Sequence, residues 1–207
     1  MALKATSVSA DSNPLEAGSY PGRLLWVFDL GKQVQLPYQG QERPPVHKIL
    51  LTYEFSDEFL QDEDGNDIAD KPRVISEQIP LYPLTSERAT STKRYFAMDP
   101  ANIHEGDFAE LVNVPVMLTV VQNASKKTGK IYNNLAGLSP MRVKDVNNLS
   151  PLVNEPRVFD LDVPDMEVWA KMHDWVKEII TNNLDFQGSA LQARLAGGTG
   201  PTEDEPY

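Results

Sequence analysis

The chain has no cysteine, and only three histidines occur in its 207 residues. Without thiols there is no disulfide framework, no thiol nucleophile and no thiolate metal site. That composition fits a reducing compartment. His47, His104 and His173 lie far apart, and none belongs to an H-E-x-x-H pair. The G-x-S-x-G turn of many serine hydrolases is absent. No carboxylate is followed two residues later by lysine, the step found in many metal nucleases. No apolar run approaches the roughly 18 residues of a membrane span. The start, "MALKATSVSADSNPLEAG", lacks the apolar stretch of a secretory signal. These absences predict a soluble, cytoplasmic protein with no catalytic residues, no cofactor and no metal site.

Two fragments imitate ligand loops and fail on chemistry. "ASKKTGKI" begins with Ala124 where a phosphate loop has glycine, and ends on Ile131 where it has Ser or Thr. It also joins two apparent strands, whereas a phosphate loop leads into a helix. "DEDGND" has acids around a glycine, but calcium-loop spacing puts Leu60 at the first ligand position and Lys71 at the twelfth. It reads as a solvated turn, and its Asp-Gly pair predicts a hairpin.

Charge is unevenly spread. The net value is −11, yet residues 57–70 carry seven acids and no base. Residues 203–205 add three acids, and residues 155–185 hold eight acids against three bases. The remaining body, 1–56 with 71–154, has fifteen bases and twelve acids. An acidic whole chain is therefore compatible with a polyanionic partner, because local charge decides such contacts.

The apolar pattern predicts a mainly β protein. Residues 1–18 read as a flexible N-terminus. Residues 19–154 read as one domain, with 57–70 as an acidic hairpin insertion. Its first strand is "YPGRLLWVFDLG", whose alternation puts Leu24, Trp26, Phe28 and Leu30 on one face. "VHKILLTYEF" is the second, with Ile49, Leu51, Tyr53 and Phe55 together. "PRVISEQIPLYPL" is the third. A short helix is expected after Pro100, followed by the strands "VPVMLTVVQN" and "KIYNNLAGL". The order strand, strand, strand, helix, strand, strand is that of an OB-fold, a five-stranded barrel that binds oligonucleotides or oligosaccharides. The other expectation is a different antiparallel sandwich or barrel with a packed helix.

Residues 155–195 read as a wrap and a helix. In "DMEVWAKMHDWVKEIITNN", Val168, Trp169, Met172, Trp175, Val176, Ile179 and Ile180 recur at helical spacing, with Asp165 as N-cap. "SALQARLA" predicts a further short helix. Residues 196–207 read as a flexible acidic tail.

Single-stranded nucleic acid is bound by cations along its phosphates and by rings that stack on its bases. Three stretches offer both. Lys126, Lys127 and Lys130 adjoin Tyr132. Lys93 and Arg94 adjoin Tyr95 and Phe96. Lys32 and Arg43 flank Tyr38. Arg23, Lys48, Tyr53 and Arg73 are expected along the strands between them.

The ending "EDEPY" and the stretch "YPGRLLWVFDLG" resemble bacteriophage single-stranded DNA-binding proteins. Bacterial relatives end in acids followed by Ile-Pro-Phe. This chain keeps the proline-aromatic ending, with Glu205 in place of isoleucine and Tyr207 in place of phenylalanine. The resemblance implies sequence-independent binding of single-stranded DNA during phage replication or recombination, in the cytoplasm of the infected host. It also implies that Glu203, Asp204, Glu205, Pro206 and Tyr207 compete with DNA and recruit partners such as polymerase or primase-helicase. The amphipathic C-terminal helix adds an expectation of self-association. Two other readings remain open: a structural or virion accessory protein, and a metal-dependent nuclease with carboxylates gathered by folding.

Overall fold

The computed structural model describes residues 14–197. Its framework is two long strands, β1 (Gly18–Gln33) and β2 (Val46–Gln61), 16 residues each. Most strands run only 3–10 residues, and a strand this long bends where an extra residue is accommodated. In β1 the register against β2 shifts between Leu24 and Trp26 and again between Asp29 and Gly31. The first bulge absorbs Leu25 and swaps the faces. Leu24 and Val27 enter one core, whereas Trp26, Phe28 and Leu30 turn to the other. Simple alternation, which put Leu24 with Trp26, fails at that bulge. Close strand approach also explains Gly22: a Cβ there would lie 2.6 Å from the Glu54 carbonyl oxygen.

β3 (Asp67–Pro80), β4 (Pro115–Ala124) and β5 (Ile131–Pro140) complete an antiparallel series in the order β3-β2-β1-β4-β5. A sixth strand, β6 (Arg157–Phe159), runs parallel to β1 at Trp26–Phe28, next to the part of β1 that pairs with β4. The expected closed five-stranded barrel is not formed. The sheet has six strands and stays open, because β3 and β5 approach without pairing. Leu15 sits in that gap. Its N–H donates to Asn133 Oδ1 at 2.8 Å, and its carbonyl accepts from Asn133 Nδ2 at 2.8 Å.

The helix between β3 and β4 is α1 (Thr90–Met98), which ends before Pro100 instead of starting after it. Proline disfavours helical geometry in the residue before it, and Asp99 leaves the helix at φ −128°, ψ 77°. Residues after Pro100 form turns and one 3-10 turn, Ala109–Leu111. Tyr95 and Met98 of α1 fill the first core with Leu51, Tyr53 and Leu118.

The opposite face of β1 and β2 is also buried. α2 (Val143–Val146), α3 (Met166–Lys171), α4 (Asp174–Thr181) and α5 (Ala190–Leu195) follow the barrel-like part. Met172, Val176, Ile180 and Leu191 pack with Phe159 against Phe28, Leu30 and Leu50. Each such apolar side chain stabilises by about 1.5–3 kcal/mol on burial. Glu54 ties this layer to the sheet. Its buried carboxylate accepts from the N–H groups of Val153 and Asn154 and from Asn154 Nδ2, at 2.7, 3.0 and 2.7 Å. Asp165 caps α3 as expected, accepting from the N–H groups of Glu167 and Val168. The expected single C-terminal helix is two. Met172 and His173 adopt extended geometry, which turns Met172 into the core and leaves Trp175 45% exposed. Among the described residues, no helix is long and apolar enough to cross a membrane.

Candidate nucleic-acid interface

The β4–β5 turn carries three lysines within five residues. Ser125 shapes it: its N–H donates to the Lys130 carbonyl, and its carbonyl accepts from Gly129 N–H at 2.8 Å. The Ser125 hydroxyl accepts from the N–H groups of Lys127 and Thr128. Gly129 takes φ 69°, which closes the turn at little steric cost. Lys126, Lys127 and Lys130 are exposed, and among the described residues none makes an ion pair. Tyr132, two residues on, is 45% exposed beside exposed Ile131. Cations and an accessible ring therefore share one projecting hairpin.

That hairpin borders the open edge of the sheet. A cleft of ≈ 390 Å³ lies between β3 and β5, lined by Leu15, Phe55, Leu60, Pro72, Val74 and Asn133 among others. Arg73 is on its wall, with Nε donating to the Phe59 carbonyl at 3.0 Å. α1 approaches β5, and its solvent side carries Lys93 and Phe96. The Tyr20 hydroxyl near this end is held above its usual pKa by burial, and then by the carboxylates of Glu58, Glu16 and Asp57. So the cleft has a basic flank at β5 and an acidic one at the β2–β3 turn.

Three expected contact residues are withdrawn from the surface. Tyr53 and Tyr95 are fully buried, and Arg94 is nearly so. Arg94 donates through Nε and Nη2 to Glu77 at 2.7 and 3.0 Å. Tyr53 sits against the same carboxylate, and burial pushes its hydroxyl pKa well up. The Tyr95 hydroxyl donates to Asp99 and accepts from Gly106 N–H. Their core roles have a signal in sequence: α1 places Arg94 and Tyr95 inward and Lys93 and Phe96 outward, which a loop reading hides. Arg23 is half-buried and braces the chain, donating to the carbonyls of Ser150 and Asn113.

Lys32, Tyr38 and Arg43 stand elsewhere, on an exposed finger that continues the β1–β2 hairpin. Lys48 is half-buried near its base. Tyr38 and Gln41 exchange backbone hydrogen bonds of 2.9 and 3.0 Å across Gln39 and Gly40, at φ 51° and 77°. β2 separates this finger from the β2–β3 turn by up to about 50 Å of extended strand. The basic stretches thus do not form one groove. Lys126, Lys127, Lys130, Tyr132 and Arg73 share one end, and the finger occupies the other. Glu203, Asp204, Glu205, Pro206 and Tyr207 lie outside the described residues.

No protein-family model and no curated protein matches this chain. Among the described residues, no group of three or more His, Asp or Glu side chains is arranged to hold a metal ion.

One titrating pair lies near the finger base. His47 Nε2 is 2.6 Å from Asp29 Oδ1. That hydrogen bond raises the His47 pKa; burial opposes it, and the charges of Asp29, Asp162 and Asp185 add to the rise. A histidine raised in the folded state stabilises below its unfolded value of 6.5, and the gain is lost as pH climbs through the folded value. The side chain is 45% exposed, so the gain is under about 1 kcal/mol. Urea unfolding at pH 6 and pH 8 should show this extra stability at pH 6 in the native chain and not in His47→Gln.

Proposed function

We propose that this protein binds single-stranded DNA without sequence preference, in phage DNA replication or recombination. The hairpin lysines Lys126, Lys127 and Lys130, which make no ion pair among the described residues, carry this reading with half-exposed Tyr132. It combines phosphate-directed charge with a stacking ring, the two requirements of sequence-tolerant binding. The strand order β3-β2-β1-β4-β5, with α1 between β3 and β4, supports an OB-type ancestry: closing β3 on β5 would complete that barrel. The β4–β5 loop of OB-folds commonly walls the binding cleft.

The C-terminal layer closes the outer face of β1 and β2. The strand therefore runs along the β4–β5 hairpin and the neighbouring sheet edge, with Arg73, Lys93 and Phe96 as further contacts. The acidic tail, Glu203–Glu205 with Pro206 and Tyr207, competes for these cations and is released to partner proteins when DNA binds.

Titration of the full chain with oligo-dT, followed by tyrosine and tryptophan fluorescence across a salt series, tests the reading. Saturable quenching is expected, with log affinity falling by about 0.7 per contacted phosphate for each tenfold rise in salt. A folded chain that leaves fluorescence and oligonucleotide mobility unchanged at low salt would remove this function and favour the structural-protein reading.

A further inference from the structure

The β1–β2 finger has a composition that a solvated loop does not need. Val34, Leu36 and Tyr38 are all exposed, Leu36 at 87%. They occupy every second position of the arm that follows β1. Gln35 Nε2 donates to the Pro44 carbonyl and holds the two arms together. The two-residue turn at Gln39–Gly40 has positive φ at both positions, the geometry of a tight hairpin. The finger is therefore a built projection with three exposed apolar or aromatic side chains. Residues 32–48 also carry Lys32, Arg43 and Lys48 against a single acid, Glu42.

The far end of β2 offers the complement. There the β3–β5 cleft exposes Val74 and part of Leu60 beside Arg73, over a floor that includes buried Phe55 and Pro72. Among the described residues β3 and β5 do not pair across it. Beside it run residues 57–70 with seven acids, and the charge of Arg73 on the cleft wall reaches Glu58 among them. Asp62 organises their turn, its Oδ1 accepting from the N–H groups of Asp64 and Asn66. A basic projection with exposed apolar side chains and a recess with the acidic β2–β3 turn on one flank thus lie at opposite ends of one strand. They cannot meet within a molecule across the length of β2, but they can meet between molecules.

We propose that copies of this chain associate head to tail, with the finger of one seated on the β3–β5 cleft and acidic turn of the next. Such a contact joins two different surfaces, so it propagates as an open chain unless the rotation between copies closes it into a ring. Opposite charge sets its direction and makes it salt-sensitive. The association needs no nucleic acid, and although its cleft shares Arg73 with the DNA path proposed above, it is tested without DNA.

Sedimentation velocity of the full chain, without nucleic acid, tests it. At low salt the mean mass should rise with protein concentration, and added salt should reverse the rise. Leu36→Asp breaks the finger. Glu63→Gln with Asp64→Asn and Asp70→Asn weakens the recess and leaves the Asp62 turn intact. These residues are exposed, so both variants should keep the native circular-dichroism spectrum, and each alone should weaken association about tenfold or more. An equimolar mixture should form heterodimers and nothing larger, because each variant retains one working surface. A native chain that stays monomeric at every concentration would overturn the proposal. So would association indifferent to both variants, or a mixture that stays monomeric while the native chain assembles. If Leu36→Asp lowers oligo-dT affinity and leaves the mass distribution unchanged, the finger is a nucleic-acid contact and not a docking arm.

Discussion

Reversing the charge of Lys126, Lys127 and Lys130 together to glutamate should lower affinity for oligo-dT by about two orders of magnitude or more at low salt. Each lysine that neutralises a phosphate contributes about 0.7 to the slope of log affinity against log salt, so loss of three should flatten it by about 2. Stability should hardly change. The three side chains are exposed, make no ion pair among the described residues, and sit in a turn held by Ser125 and Gly129. Tyr132→Ala should behave differently. It removes a stacking surface worth about 1–3 kcal/mol and leaves the salt slope as it was. Filter binding at several salt concentrations separates the two effects. Equal affinity and slope in native chain and triple variant would mean that this hairpin is not the interface.

Arg94→Ala should cost about 3–5 kcal/mol of folding stability, the largest loss expected from a single polar side chain here. Arg94 reaches from α1 to Glu77 on β3 with two charge-assisted hydrogen bonds, and both side chains are largely buried, at 8% and 14% exposure. Removing the guanidinium strands a carboxylate against the buried Tyr53. The penalty comes mainly from the uncompensated charge and much less from the bond itself. Replacing both partners, Arg94→Met with Glu77→Leu, should therefore recover most of the loss. Urea unfolding of the native chain, the single variant and the double variant measures this. A loss under about 1 kcal/mol in Arg94→Ala would mean that water reaches the pair and screens it as it does at the surface.

The strands were legible because both periodicity and punctuation marked them. β2 and β3 announce themselves by apolar runs on either side of "DEDGND", and β4 and β5 by runs on either side of "KKTG". Asp165 was readable as a helix cap for the same local reason: a short acceptor side chain precedes an amphipathic stretch. α1 was misplaced because "TSTKRYFAM" is rich in threonine, serine and aromatics, which carry weak helix propensity. Its helix is stabilised by Tyr95, Met98 and Arg94 reaching partners distant in sequence. The break between α3 and α4 likewise depends on where Met172 finds a core, which the 3.6-residue stripe does not encode.

The candidate site was half legible. A lysine-rich turn beside a tyrosine is a local feature, and Lys126, Lys127, Lys130 and Tyr132 remain exposed together. "KRYF" carries the same composition, but there the fold spends Arg94 and Tyr95 on the interior. Composition does not reveal which way a side chain points once its element is packed on both sides.

By itself the sequence determined the strand segments, the hairpin turns, the Asp165 cap and the uneven charge, because each depends on neighbours within a few residues. Only the tertiary structure decided that β1 changes faces at Leu25, that a C-terminal layer closes the outer side of the sheet, and that β3 and β5 stay apart with Leu15 between them. It alone placed the basic finger and the acidic turn at opposite ends of β2. These outcomes follow from packing between segments far apart in the chain, where burial of apolar surface outweighs local preference.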